Sequence, residues 1–89
     1  MIEIEQLSED EWLVTTKGKT ITEHRVKLTR ADLRRFGGGE VDAKKLLEAS
    51  FRFLLEREPN TSILSSFELP LIGRYFPEYE REVAEYLAR

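Results

Sequence analysis

Cysteine is absent from these 89 residues. That excludes disulfides, thiolate nucleophiles and cysteine-based zinc sites. Histidine is nearly absent: His24 is the only one, so no second imidazole can complete a metal site. The Glu residues are scattered without calcium-loop spacing. No apolar run approaches the length of a membrane span. The first five residues, Met-Ile-Glu-Ile-Glu, are acidic and lack the apolar core of a secretory signal. A cytoplasmic protein without membrane association is therefore expected. Internal repeats and low-complexity tracts are also missing.

Base is lacking from Met1 to Thr16, a window with Glu3, Glu5, Glu9, Asp10 and Glu11, net −5. The next window, Lys17 to Arg35, has seven bases against Glu23 and Asp32, net +5. Two readings follow: a basic binding surface beside an acidic arm, or neighbouring strands whose charges pair across a sheet. The second is favoured. Hydrophobic residues make up 40% and charged residues 35%, a globular mixture. The length implies one domain, residues 1–89, small enough to gain from a dimer interface.

Ile2 and Ile4 alternate with Glu3 and Glu5, the period of a half-buried strand. Trp12 to Thr16 is aromatic and β-branched, which predicts a second strand after a turn at residues 8–11. Lys17-Gly18-Lys19 is a tight connection to a third strand over Thr20–Leu28. There Thr22, His24, Val26 and Leu28 share one face. Thr29 and Asp32 form a capping-box-like start to a short helix, which Gly37-Gly38-Gly39 stops.

The most strongly signalled element is Asp42–Glu58. Asp42 suits an N-cap, Val41 and Leu46 suit a hydrophobic staple, and Pro59 ends the helix. Its apolar residues sweep an arc of roughly 240° at 100° per residue, wider than the stripe of an ordinary surface helix. The helix needs cover on two sides. It is either central in one core or shared with a second chain, with Leu47, Phe51 and Leu55 as the candidate homodimer interface. After Pro59, a short helix through Ile63 and Leu64, another over Leu71–Phe76 and a last helix from Pro77 are expected. The fold class is α+β: a three-stranded antiparallel meander within residues 1–28, then a short helix, a long central helix and C-terminal helices within 29–89.

Catalytic constellations are wanting. His24 stands alone in a strand. The glycine triplet has no following Lys-Ser/Thr and lies between helices, so it reads as a stop and hinge, not a phosphate cradle. Ser62, Ser65 and Ser66 lie in no nucleophile elbow. No enzyme, cofactor or metal is expected. The span Leu69–Tyr79 packs three large aliphatics and three aromatics between prolines, and interfaces favour Tyr and Arg. Arg74, Tyr75 and Tyr79 are thus the candidate residues for binding a protein partner.

Two resemblances accompany this reading. Val26 to Glu58 resembles the ribbon-helix-helix DNA-binding family, in which two chains pair a strand in the major groove. That likeness implies base-reading roles for Arg25, Lys27 and Thr29, and a regulator or antitoxin function. Nucleic acid is the less favoured partner, because a short first helix, Asp42 at the second helix start and a hairpin neighbour to the strand depart from the pattern. Residues 50–59, with Ser62-Ile63-Leu64, Phe67, Leu69, Ile72 and Tyr75-Phe76-Pro77-Glu78-Tyr79, resemble a set of short uncharacterised bacterial proteins. That likeness implies a fold-sized unit and no site residues. The leading expectation is a non-enzymatic interaction or regulatory module that binds another protein as a homodimer.

Overall fold

A computed structural model describes residues 1–89. The elements, in chain order, are β1 (Ile2–Gln6), β2 (Glu11–Lys17), β3 (Ile21–Lys27), α1 (Arg30–Gly37), α2 (Ala43–Leu55), a 3₁₀ turn (Asn60–Ser62), β4 (Ser66–Glu68), α3 (Leu71–Tyr75) and α4 (Tyr79–Leu87). The fold is α+β. Three N-terminal strands form the expected antiparallel meander, with Val14 opposite both Ile4 and His24. Alternation places Trp12, Val14, Thr16, His24 and Val26 on a buried face, while Glu23, Arg25 and Lys27 face outward.

The sheet has a fourth member. β4 lies parallel to β3, with Arg25 opposite Ser66 and Lys27 opposite Glu68, giving the order β1-β2-β3-β4. The sequence reading has loop here. Three residues are too few for a period to register, and the strand exists because β3 offers it an edge.

The capping signals hold. Thr29 and Asp32 make reciprocal side-chain-to-amide bonds at the start of α1. Asp42 accepts from the Lys45 amide at 2.8 Å. Gly38 ends α1 in the left-handed region at φ 74°, a conformation open to glycine at little cost. α2 ends at Leu55, one turn before Pro59. There the Arg57 amide bonds Leu54 O, a tighter turn than the helix.

The wide apolar arc of α2 is covered within this one chain. On one side, Phe51 lies 5.5 Å from the His24 ring and 6.2 Å from Phe67. On the other, Phe53 meets Tyr79, Phe76 and Tyr86 at 5.3 to 5.9 Å. Leu47 and Phe51 have no exposed surface, so they cannot form a homodimer face, and Leu55 is only half-buried. The physical reason is the fourth strand and α4, which supply the second cover that a partner chain would otherwise provide.

The acidic window spans β1 and most of β2, and it meets the basic window where β2 pairs with β3, with Glu11 opposite Lys27. Glu3 pairs with Lys17 at 3.0 Å, and Glu11, Lys27 and Glu68 share one register row. No helix is long and apolar enough to cross a membrane.

Candidate functional site

The chain from Asn60 to Glu68 is held against the sheet by a relay of polar side chains. Asn60 Nδ2 donates to Thr16 Oγ1 at 2.9 Å. Thr16 and Thr22 hydroxyls are 2.7 Å apart. Thr22 Oγ1 lies 2.8 Å from His24 Nε2, and His24 Nδ1 lies 2.8 Å from the Leu64 carbonyl. A carbonyl only accepts, so Nδ1 carries the proton and donates. Nε2 then accepts from Thr22, Thr22 from Thr16, and Thr16 from Asn60. The donors run one way along the relay, an arrangement in which each bond polarises the next. Both ring nitrogens of His24 are engaged and the residue is buried. It is a positioning residue for Leu64.

The relay leaves the Leu64 side chain turned outward, 46% exposed. Tyr75 is more exposed still, at 65%. Both line an apolar groove of about 340 Å³, together with Leu54, Ile63, Phe67, Leu71, Ile72 and Phe76. Glu58 sits in the same lining, and partial burial there pushes its carboxyl above the ordinary range.

Phe67 and Leu71 line both this groove and a broader polar cleft of about 800 Å³. The cleft holds Arg25, Lys27, Arg35 and Arg74 among Glu11, Glu68 and Glu80. Arg35 is committed to Glu80 through two bonds of 3.2 and 2.9 Å. Arg25, Lys27 and Arg74 form no ion pair.

The edge of β4 runs between the two. The Arg25 amide donates to Ser65 O, and the Leu69 amide to Lys27 O. In a parallel ladder this phase points the backbone groups of Ser65, Phe67 and Leu69 at β3. Ser66 and Glu68 therefore turn their N–H and C=O groups away from the sheet, and β4 is its last strand.

No family model matches the chain, and no curated protein or solved structure is significantly similar to it. The site is thus read on its own chemistry. No group of three or more His, Cys, Asp or Glu side chains is placed to hold a metal ion.

The sequence-derived site residues divide. Arg74 is exposed at the cleft and Tyr75 at the groove. Tyr79 belongs to neither. It is fully buried, its hydroxyl 2.6 Å from Ser50 Oγ, and burial holds that hydroxyl far above its ordinary pKa. Helical spacing put Tyr79 on the inner face of α4, which the earlier residues of the segment do not share.

The ribbon geometry fails. β3 is flanked by β2 and β4 of its own chain, so it has no edge left for a second copy. Thr29 caps α1 instead of extending the strand. Arg25 and Lys27 do face outward, but from the middle of a four-stranded sheet. Sequence reasoning missed Leu64, Phe67 and Glu58. Leu64 is expected within a short helix after Pro59; the turn ends at Ser62, and Leu64 follows it with its carbonyl bound to His24 and its side chain exposed.

Proposed function

We propose that the chain is a small non-enzymatic interaction module of the cytoplasm, which binds another protein through the Leu64–Tyr75 groove and the adjoining edge of β4. The carrying observation is the pair of large side chains, Leu64 and Tyr75, exposed in the lining of one apolar groove. An exposed apolar patch with a polar rim is the signature of a binding surface. The free strand edge adds main-chain donors and acceptors, the means by which an extended segment joins a sheet. Arg74 supplies the polar rim. A non-enzymatic role is supported by the engagement of both His24 nitrogens. Nucleic acid ranks lower as a partner, because Glu11, Glu68 and Glu80 stand among the free cations and would meet the same phosphates.

The test is capture from native cell extract with identification by mass spectrometry, comparing wild type with Arg74→Ala/Tyr75→Ala. Both side chains are exposed, so the double variant should melt within a degree or two of wild type, the response of a small domain to about 0.3 kcal/mol. It should lose the captured partner. A variant that unfolds, or one that retains the partner undiminished, removes this surface from consideration.

A further inference from the structure

We infer, on the footing of that interaction surface, that its occupant is a second copy of this chain. The two β4 strands would pair antiparallel about a two-fold axis at Phe67, joining two four-stranded sheets into one of eight.

Register decides the geometry. Each copy offers four free backbone groups at this edge, the N–H and C=O of Ser66 and of Glu68. With the axis at Phe67, Ser66 of one chain lies opposite the partner's Glu68, and Glu68 opposite the partner's Ser66. In an antiparallel ladder each such pair exchanges two hydrogen bonds. Four bonds form and all eight free groups are satisfied. An axis at Glu68 would set two carboxylates face to face, which is destabilising. An axis at Ser66 would leave the groups of Glu68 beyond the paired strands.

Charge follows the same register. On the outward face, Lys27 neighbours Glu68 and Arg25 neighbours Ser66 within one chain. Pairing produces the row Lys27, Glu68, the partner's Ser66, the partner's Arg25, and its symmetric repeat. Strands are about 4.8 Å apart, so an arginine reaches over the small serine to the carboxylate beyond. Each Glu68, which has no ion pair within its own chain, gains cations on both sides. On the other face, the two half-buried Phe67 rings come together at the axis. There opposed residues approach most closely, because Phe67 and its counterpart are a non-hydrogen-bonded pair. Continuing the register carries Leu64 of one copy toward the partner's Pro70, where the groove wall of α3 begins.

The opposite edge of the sheet does not do this. Met1 and Lys17 exchange backbone bonds, which leaves Ile2, Ile4 and Gln6 with the outward groups of β1. An antiparallel pair centred on Ile4 opposes Glu3 and the partner's Glu5, and one centred on Glu3 opposes two Glu3 carboxylates. β1 thus carries the charged guard that natural edge strands use against pairing, and β4 does not. The interface is isologous and closes at two.

Sedimentation velocity from micromolar to near-millimolar concentration, joined to amide hydrogen exchange, tests this. The wild type should shift from monomer to dimer, with the Ser66 and Glu68 amides protected only at high concentration. Ser66→Pro removes an N–H that β3 does not use, and proline is tolerated at such outward edge positions. It should weaken dimerisation by about tenfold or more while the dilute monomer keeps its melting temperature. Glu68→Lys should do the same by placing like charges in the row, and Arg25→Glu/Glu68→Lys should restore the dimer. The inference is overturned by a monomer at every concentration with both amides exchanging freely, by a dimer indifferent to these variants, or by growth beyond two. A chain that stays monomeric yet still loses its captured partner on Arg74→Ala/Tyr75→Ala would reject self-pairing and keep the interaction surface.

Discussion

Arg57 organises more of this molecule than any other single side chain. Its guanidinium stacks 3.7 Å over the Phe53 ring. It reaches Glu78 at 3.1 Å and Glu82 at 2.6 Å, and donates to the Phe53 carbonyl at 3.1 Å and the Tyr86 hydroxyl at 3.3 Å. One planar group thereby ties the end of α2 to both ends of α4. Arg57→Ala should cost about 2–4 kcal/mol in urea unfolding, since it strands partly buried carboxylates as well as losing bonds. Arg57→Lys should recover less than half of that, because an ammonium has neither the fork nor the flat face. A lysine variant as stable as wild type would show that charge alone suffices. His24 makes a second case. His24→Phe keeps a ring against Phe51 but takes the donor from the Leu64 carbonyl and leaves the Thr22 hydroxyl with only its Thr16 bond, at about 1–3 kcal/mol in all. Faster exchange of the Arg25 and Leu69 amides, which bridge β3 and the β4 segment, should accompany the loss, because the β4 approach is what the relay anchors. Unchanged exchange there would mean that β3 alone holds the strand.

Among the elements, α2 and its flanking signals were the most legible. The Asp42 cap, the apolar arc and the glycine stop are local chemistry, and each appears where the residues put it. Gly38 allows a sharp check. Its φ of 74° leaves open space around it, so Gly38→Ala meets no clash and should cost about 1 kcal/mol from backbone strain alone. Gly37 differs in kind. A Cβ there would come to 2.6 Å from Val41 Cγ2, so Gly37→Ala should displace Val41 and shift its methyl resonances. Equal behaviour of the two variants would show that the connection between α1 and α2 is looser than its geometry. α3 is the short helix expected over Leu71–Phe76 and runs Leu71–Tyr75. β4 was the illegible element, because its three residues are too few to show a period. The part of the groove built by Leu64 and Phe67 was illegible for the same reason.

For the whole molecule, the ion pairs that fasten α4 set the response to acid. The Tyr86 hydroxyl, followed by Arg89, holds the Glu56 carboxyl below its ordinary value. Its own backbone amide and then Arg57 do so for Glu78, and Arg35 does so for Glu80. A folded pKa below the unfolded one gives stability that is present above the ordinary carboxylate value, about 4, and is lost as pH falls through the depressed folded values. Glu58 runs the other way. Burial raises its folded pKa, so its ionisation opposes folding and the penalty disappears in acid. Stability should therefore fall below about pH 4, and Glu58→Gln should raise the melting temperature at neutral pH but not in acid. The tyrosine signals of α4 should change before the fluorescence of the buried Trp12 in β2. A Glu58→Gln variant less stable than wild type at pH 7 would show that the carboxylate makes a favourable contact that its surroundings do not reveal.

The sequence by itself determined what depends on neighbours along the chain: the strand meander, the capped helices, the α+β class and the exclusion of thiol chemistry. Alternation and capping act over a few residues, so they are written in the order of those residues. The tertiary structure alone decided which apolar surfaces find cover. Leu47, Phe51 and Tyr79 looked available for a partner and are core, because β4 and α4 fold back onto α2 from far along the chain. Leu64 was expected in a short helix; it lies beyond the 3₁₀ turn and is exposed, its carbonyl held by a histidine forty residues away. Burial depends on which distant segments meet, and no local pattern encodes that.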